Sequence, residues 1–280
     1  MIGEARLDVT TTDGHRFELL AQLPDRPIAS LLWLPALGIA ARHYLPFAEA
    51  LAARNIAVFL HEWRGNGSSS LRPGRQQDWG YRELLQHDLP AAEAALHAAL
   101  PGLPMRLGGH SLGGQLGSCY AGQRTDELDA LYLVASGTPW WRSFPPPRGY
   151  LLPLAYRFLP WLADRNGTLP GRRVGFGGTE ARGLIRDWAR VGLSNHYAAA
   201  GLDADLEAGL RRIQAPVAAV VFDADWLAPA SSMRALLAKM PAAPSTLQLL
   251  SSAQLNARAD HFHWMKSPQA VASALLHHDD

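Results

Sequence analysis

The segment Gly109–Gly113 has the sequence GHSLG, which matches the pattern G-x-S-x-G. An apolar stretch, Leu103–Leu107, precedes it, and a stretch of small residues with helical spacing, Leu112–Gly122, follows it. A strand, a sharp turn and a helix in this order form a nucleophile elbow, in which a strained backbone holds a serine at the tip of the turn. Glycine on each side removes the side chains that would collide where the strand and the helix cross. The pattern therefore predicts a nucleophile at Ser111.

Composition favours one large globular domain. The 280 residues are 48% hydrophobic and 18% charged, which suits a chain with a sizeable core and argues against disorder. The formal net charge of +1 gives no electrostatic reason to expect a nucleic acid or an acidic partner. The one cysteine, Cys119, excludes an intrachain disulfide.

No feature of the sequence predicts stable insertion into a membrane. The longest apolar run, Ile28–Ala41, is too short to span a bilayer and contains Pro35 and Gly38. The first residues lack the basic region and apolar run of a secretory signal. We therefore expect a cytoplasmic protein.

Apolar stretches typical of strands alternate with stretches of helical spacing along most of the chain. The predicted strands are Ala5–Thr11, Arg16–Leu23, Ser30–Leu34, Ala57–Leu60, Leu103–Leu107, Ala130–Ala135, Val217–Phe222 and Thr246–Leu250. The predicted helices are Tyr44–Arg54, Tyr81–Leu100, Leu112–Gly122, Met233–Met240 and one from Val271. This alternation predicts an α/β fold, with a mostly parallel central sheet and helices on both faces.

One segment interrupts the alternation. Residues 139–212 are rich in proline, arginine, glycine and aromatic residues and lack the regular spacing of the flanking sequence. We expect this segment to be a helical cap or lid inserted over one end of the sheet. Residues 1–138 and 213–280 would then form the core.

A serine hydroxyl needs a base and a group that orients the base. In a parallel sheet the site lies beyond the carboxyl ends of the strands, so both partners should follow late strands. We expect Asp225 to be the orienting acid, with Asp223 as the alternative. His261 is the expected base, with His263 as the alternative. The His-x-His pair lacks further ligands at the spacing of a metal site, so no metal and no cofactor is predicted.

The developing oxyanion needs two backbone N–H groups aimed at one point. Leu112 supplies one at the start of the helix after the serine. Leu37 supplies the other from the loop after Ser30–Leu34, where Pro35 has no N–H to offer. The side chains expected to contact the substrate are His110, Trp140, Trp141 and Trp226.

The order Ser111, Asp225, His261 resembles that of the α/β-hydrolase superfamily, and the resemblance extends over nearly the whole chain. His61–Ser69 (HEWRGNGSS) is similar to the Asp-x-Arg-Gly-x-Gly-x-Ser segment of that family, with His61 in place of the usual Asp. Within the superfamily the chain resembles a bacterial subgroup. The shared segments are Pro35–Gly38 (PALG), Gly108–Gln115 (GGHSLGGQ) and Leu169–Gly177 (LPGRRVGFG).

The resemblance implies a serine hydrolase that acts on a small to medium apolar carboxylic ester through an acyl-enzyme. A thioesterase, lactonase, amidase or perhydrolase with the same triad remains an alternative, as does a non-catalytic binding protein with this fold. A lid that docks on membranes is a further alternative, but Pro153 and Pro160 should interrupt a long amphipathic helix, and we expect too few basic residues nearby for binding to anionic lipid. The expected partner is a small-molecule substrate, and the expected state is a monomer or homodimer.

Overall fold

The computed structural model describes residues 2–124 and 127–276. These residues form ten strands and eleven α-helices, and an eight-stranded sheet occupies the centre. The strands are β1 (Ile2–Thr10), β2 (Arg16–Pro24), β3 (Ala29–Leu34), β4 (Ile56–Leu60), β5 (Met105–His110), β6 (Ala130–Val134), β7 (Leu169–Pro170), β8 (Thr179–Glu180), β9 (Val217–Phe222) and β10 (Ser245–Leu250). Every strand predicted from the sequence is present.

The central sheet has the strand order β1-β2-β4-β3-β5-β6-β9-β10. β2 is antiparallel to both its neighbours, and all pairs from β4 to β10 are parallel. The predicted α/β class with a mostly parallel sheet is therefore confirmed. β3 to β6 and β9 are buried along their whole length, which explains their continuous apolar sequences.

Helices cover both faces of this sheet. They are α1 (Leu45–Ala52), α2 (Tyr81–Glu83), α3 (Leu89–Ala99), α4 (Leu112–Ala121), α5 (Arg148–Asn166), α6 (Gly171–Val174), α7 (Arg182–Ser194), α8 (Leu206–Arg212), α9 (Ala230–Leu237), α10 (Ser252–Leu255) and α11 (Gln269–Leu276). A π-helical turn, Leu84–Asp88, joins α2 to α3, so the predicted helix Tyr81–Leu100 is continuous but not uniform. Two large apolar clusters fill the space between the helices and the two faces.

β5 differs from its prediction at its carboxyl end. The apolar pattern placed the strand at Leu103–Leu107, whereas the strand continues through two glycines to His110. Gly108 and Gly109 remain in the strand because it is hydrogen-bonded on both sides, to β3 and to β6. The elbow therefore begins directly after the strand, at Ser111.

Between β6 and β9 the chain leaves the sheet and forms α5 to α8 and the β7–β8 pair. α5 has 19 residues and contains Pro153 and Pro160, so the expectation that the prolines interrupt a long helix is wrong. Each proline removes one N–H donor, but α5 packs along α7 and buries Tyr156, Leu159 and Ala163. This packing compensates for the two missing hydrogen bonds. That the whole segment 139–212 forms a separate cap unit stays a prediction.

Gly113 offers a direct test of how closely α4 approaches β3. A Cβ at this position would lie 2.1 Å from the carbonyl oxygen of Leu34, where the neighbouring backbone has no room to move. We expect Gly113→Ala to lower the free energy of unfolding by at least about 3 kcal/mol, or to prevent folding. Urea denaturation measures the loss. Gly74→Ala is the matched control, since a Cβ there meets no atom within 4 Å. Equal urea midpoints for Gly113→Ala and Gly74→Ala would contradict the close packing of α4 against β3.

Candidate active site

Ser111 lies at the junction of β5 and α4 in a strained conformation. Its φ is 55° and its ψ is −120°, a combination that a residue with a side chain rarely adopts. Its N–H donates to the carbonyl of Val134 in β6 over 3.0 Å. A Cβ on Gly109 would lie 2.4 Å from the carbonyl carbon of Gly113, so only glycine permits this crossing. The elbow predicted from the sequence is thus present in its geometry.

The loop after β3 is fixed next to the elbow by two buried side chains. Trp63 Nε1 donates to the carbonyl oxygen of Pro35 over 2.7 Å. The N–H of Ala36 donates to the hydroxyl of Tyr44 over 2.9 Å. These bonds hold the backbone on the N-terminal side of Leu37, and Leu37 lines the same cavity as Leu112.

His261 is hydrogen-bonded to Asp225, as the sequence indicated. Its Nδ1 lies 2.8 Å from Asp225 Oδ2, and both side chains are buried. Asp225 Oδ1 accepts the N–H groups of Leu227 (2.8 Å) and Ala228 (3.1 Å). These three hydrogen bonds fix the carboxylate and the imidazole relative to one another.

The two alternative residues lie elsewhere. Asp223 is exposed. The half-exposed His263 ring is 2.9 Å from Asp260, which also accepts the N–H of Phe262 and of His263 itself. Asp260 therefore shapes the local turn.

Ser111 and His261 line one cavity of about 310 Å³. Leu37 and Leu112 belong to its wall, so the four residues predicted to act on the substrate carbonyl meet there. Most of the wall is apolar and comes from the segment between β6 and β9. Its larger side chains are Phe144, Leu152, Tyr156, Leu159, Phe176 and Trp188.

Of the four predicted substrate contacts, only Trp226 lines this cavity. His110 is fully buried, with Nδ1 2.8 Å from the hydroxyl of Tyr44, so its ring is engaged behind the elbow. Burial, with the neighbouring His261, holds the pKa of His110 well below its usual value and keeps it neutral. Trp140 and Trp141 are half-buried outside the cavity wall. Other aromatic residues of the segment line the cavity. Their spacing in the sequence did not predict them, because the whole segment is rich in aromatic residues.

A second group of Ser, His and Asp was not foreseen. His15 Nε2 lies 2.9 Å from Ser69 Oγ, and His15 Nδ1 lies 3.1 Å from Asp88 Oδ1. Asp88 also accepts two short hydrogen bonds of 2.8 Å from Arg64, and Arg64 pairs with Asp13 at 2.7 Å. All three members of the group are buried, and none lines the cavity beside Ser111.

His61, which replaces the family's usual Asp, lies in the same buried region. Neither of its ring nitrogens has a hydrogen-bond partner among residues 2–124 and 127–276. Burial lowers its pKa to about 3, so the ring is neutral and packs edge-on against Phe17 and Trp63. The buried network and His61 thus serve packing. In the part of the chain that the structure describes, no group of three or more His, Cys, Asp or Glu could hold a metal ion.

Glu180 lies where the segment between β6 and β9 approaches the loop after β3. Its carboxyl group is buried, and Oε1 accepts the N–H of Gly178 over 2.5 Å. A Cβ on Gly38 would lie 2.2 Å from Gly178 N and 2.9 Å from Glu180 Oε1, so the two loops touch through glycine backbones. Burial raises the pKa of Glu180 to about 7. The turn that contains Gly178 therefore lies against the loop that carries Leu37, and the buried Glu180 carboxyl group lies beside this contact.

The fold, the elbow and the hydrogen-bonded His–Asp pair beyond the strand ends define an α/β hydrolase. A family model, Hydrolase_4, described as serine aminopeptidase, S33, matches residues 25–254. The chain belongs to this family of the α/β-hydrolase superfamily.

A curated relative from Schizosaccharomyces pombe, named "putative monoglyceride lipase", is 36% identical over 97 residues. The match covers 34% of this chain and only 25% of that protein. Two solved structures share the fold over nearly their full lengths. A hydrolase from Pseudomonas aeruginosa superposes with a TM-score of 0.61 at 22% identity, covering 97% of each chain. The esterase domain of a Rhodothermus marinus protein superposes with a TM-score of 0.62 at 18% identity, covering 98% of this chain and 94% of that one.

The raised pKa of Glu180 makes stability depend on pH in a definite direction. Between its usual value of 4.5 and about 7 the folded protein keeps a proton on Glu180 that the unfolded chain releases. This contribution to the free energy of unfolding therefore falls as the pH rises through that interval. We expect Glu180→Gln, which retains the acceptor for Gly178, to be more stable than the wild type above pH 7 by up to about 3 kcal/mol.

Urea unfolding at pH 4.5 and pH 8 measures this difference, which should vanish at the lower pH. The exposed Glu4→Gln variant is the control and should follow the wild type at both values. If Glu180→Gln kept the pH dependence of the wild type, the carboxyl group would not be buried as described.

Proposed function

We propose that the chain is a serine hydrolase that cleaves carboxylic esters with a small to medium apolar group. The observation that carries the proposal is the meeting of Ser111, at the tip of the elbow, and the Asp225-bound His261 on the wall of one apolar cavity. Such an arrangement supports acyl transfer, since it combines a nucleophile, a base and an orienting acid.

In the first step Ser111 Oγ attacks the ester carbonyl carbon, and His261 Nε2 takes the hydroxyl proton. The carbonyl oxygen becomes an oxyanion that accepts the N–H groups of Leu37 and Leu112. When the C–O bond to the alcohol breaks, the imidazolium returns the proton to the leaving alkoxide. An acyl-enzyme on Ser111 remains. Water then repeats the sequence, with His261 as its base, and releases the acid and free Ser111.

Asp225 orients His261 and balances its charge in this scheme. The bond from His261 Nδ1 to Oδ2 selects the tautomer with Nε2 free to accept a proton. The other carboxylate oxygen, Oδ1, accepts neutral backbone N–H groups, including that of Leu227. The negative charge of Asp225 therefore stays available to the imidazolium that forms during each half-reaction.

Apolar side chains around the cavity support an apolar acyl or alcohol group. We propose that residues 139–212 act as the cap that supplies this wall. The names of the relatives agree with ester chemistry: an esterase domain among the structures and a monoglyceride lipase in the partial sequence match. Thioesters, lactones, amides and peracids would use the same groups, and a substrate panel separates them.

Ser111 and Ser69 form a matched pair for testing the nucleophile. Ser111→Ala should reduce hydrolysis of a short p-nitrophenyl ester to the uncatalysed level or within about a thousandfold of it, because no hydroxyl remains to form the acyl-enzyme. Ser69→Ala removes the serine of the buried second group and should leave turnover at the wild-type level. A fluorophosphonate probe should modify the wild type and the Ser69→Ala protein on Ser111. If the folded wild-type protein is not labelled by the probe and does not hydrolyse esters, the proposal is wrong and a non-catalytic binding protein is favoured.

Ala155 tests the role of the cavity in selecting the acyl group. Ala155 lines the cavity, whereas its neighbour Leu154 points outward from the same helix. Ala155→Phe should lower kcat/KM for the longest accepted acyl chain by about tenfold or more, with little effect on the acetyl ester, since a filled pocket rejects extra methylenes. Leu154→Phe is the control and should keep the wild-type profile. A uniform loss across all chain lengths would show that the acyl group binds elsewhere.

A further inference from the structure

α5 exposes its large apolar side chains to solvent. Five residues, each at least half exposed, form what we call the apolar ridge: Tyr150, Leu151, Leu154, Phe158 and Trp161. At the angular spacing of an α-helix these positions fall within an arc of about 100°, so they share one face. A surface helix normally turns such a face toward the core. A contiguous exposed apolar face marks a site of interaction.

The apolar ridge lies on the outside of a helix whose inner side lines the cavity. Leu152, Ala155 and Leu159 of α5 belong to the cavity wall. Trp226 and Phe262, both exposed, continue the apolar surface at the edge of the cavity. At the start of α5 the guanidinium carbon of Arg148 lies 5.5 Å from the centre of the Trp226 ring. The start of α5 therefore lies beside the exposed Trp226 at the edge of the cavity.

The segment that contains the apolar ridge is rich in exposed basic residues. Residues 139–178 contain six arginines and a single acidic residue, whereas the whole chain has 26 basic and 25 acidic residues. The acidic residue, Asp164, is itself paired with Arg186. The six arginines are all exposed: Arg142, Arg148, Arg157, Arg165, Arg172 and Arg173. This segment is thus strongly cationic in a chain that is nearly neutral overall, and the expectation that basic residues near this helix are few is wrong.

We propose that the apolar ridge and its arginines form a docking surface for an anionic lipid surface, beside the entrance to the cavity. The inference rests on the proposed function insofar as a docked chain would take its ester from the lipid. The aromatic and leucine side chains would enter the boundary between headgroups and acyl chains, and the arginines would contact lipid phosphates. Docking of this kind is peripheral: in the described ranges no helix is long and apolar enough to cross a membrane.

Two other occupants fit the surface less well. A two-fold dimer through the apolar ridge would bring two sets of six arginines together, and their repulsion opposes it. A protein partner would need a groove that complements a convex helix face. Fluid acyl chains fill the space around each projecting side chain without such a groove, and anionic headgroups match the arginines.

The test compares vesicles of phosphatidylcholine alone with vesicles of phosphatidylcholine and phosphatidylglycerol in a sedimentation assay. The full chain should bind the anionic vesicles more strongly, and added salt should weaken this binding. The ridge variant Leu154→Gln/Phe158→Gln/Trp161→Gln should lose about tenfold or more in its vesicle partition coefficient. The charge variant Arg157→Gln/Arg165→Gln should lose only the preference for anionic vesicles.

A matched control replaces exposed apolar residues that lie outside the segment 139–178. Ile28→Gln/Leu249→Gln should bind vesicles as the wild type does. None of the replaced side chains lines the cavity, so turnover of a short water-soluble ester should be unchanged in all these variants.

The outcomes separate this proposal from the proposed function. Vesicle binding by Ser111→Ala at the wild-type level supports docking whether or not the chain hydrolyses esters. Turnover of soluble esters without binding to either vesicle overturns docking and leaves the hydrolase intact. Wild-type binding by the ridge variant also overturns it. Light scattering that shows a dimer dissociated by the ridge substitutions would assign the surface to a second copy and reject the lipid.

Discussion

The strained backbone of Ser111 is the constraint on which the site depends. Such a conformation costs about 1–3 kcal/mol, so the surroundings must enforce it. Glycines do so by bringing backbones into contact: Gly109 meets Gly113, and Gly113 meets Leu34 at the end of β3. The loop that carries Leu37 begins immediately after that contact. The turn at Ser111 and the loop that carries Leu37 are therefore mechanically linked, and the glycines that allow the turn also set the position of this loop.

The chain has two groups of Ser, His and Asp. They differ in the charge of the groups that bind the Asp side chain. Asp88 accepts hydrogen bonds from the charged Arg64 as well as contacting His15, and Arg64 also pairs with Asp13, so the charges of this group are already engaged in an ion-pair network. Asp225 is bound by neutral amides and by His261, so its charge remains available. The two groups also differ in their access to a substrate. His261 lines the cavity beside Ser111, whereas His15, Ser69 and Asp88 do not. Residue types and distances alone would not distinguish these two groups.

Sequence reasoning predicted the elements that depend on local pattern. The strands, the elbow, and the choice of Asp225 and His261 followed from apolar runs and from the rule that sites lie beyond strand ends. It was wrong about α5, because proline rules describe an isolated helix and packing against α7 overrides them. Trp140 and Trp141 do not line the cavity beside Ser111, and their contact with a substrate stays a prediction. Tertiary packing decides which aromatic rings of the segment 139–212 face the cavity. The spacing of aromatic residues in the sequence does not predict it.

That segment is apolar on two sides for different reasons. The inner side of α5 lines the cavity next to Ser111, and the outer side is the apolar ridge. An exposed apolar face invites aggregation unless charge opposes it. The arginines around α5 provide that opposition in water, and the same charges would attract an anionic surface. The turn that follows α6 packs closely against Gly38, next to the loop position of Leu37. If α5 served only to line the cavity, its outer face would not need an exposed tryptophan and exposed arginines.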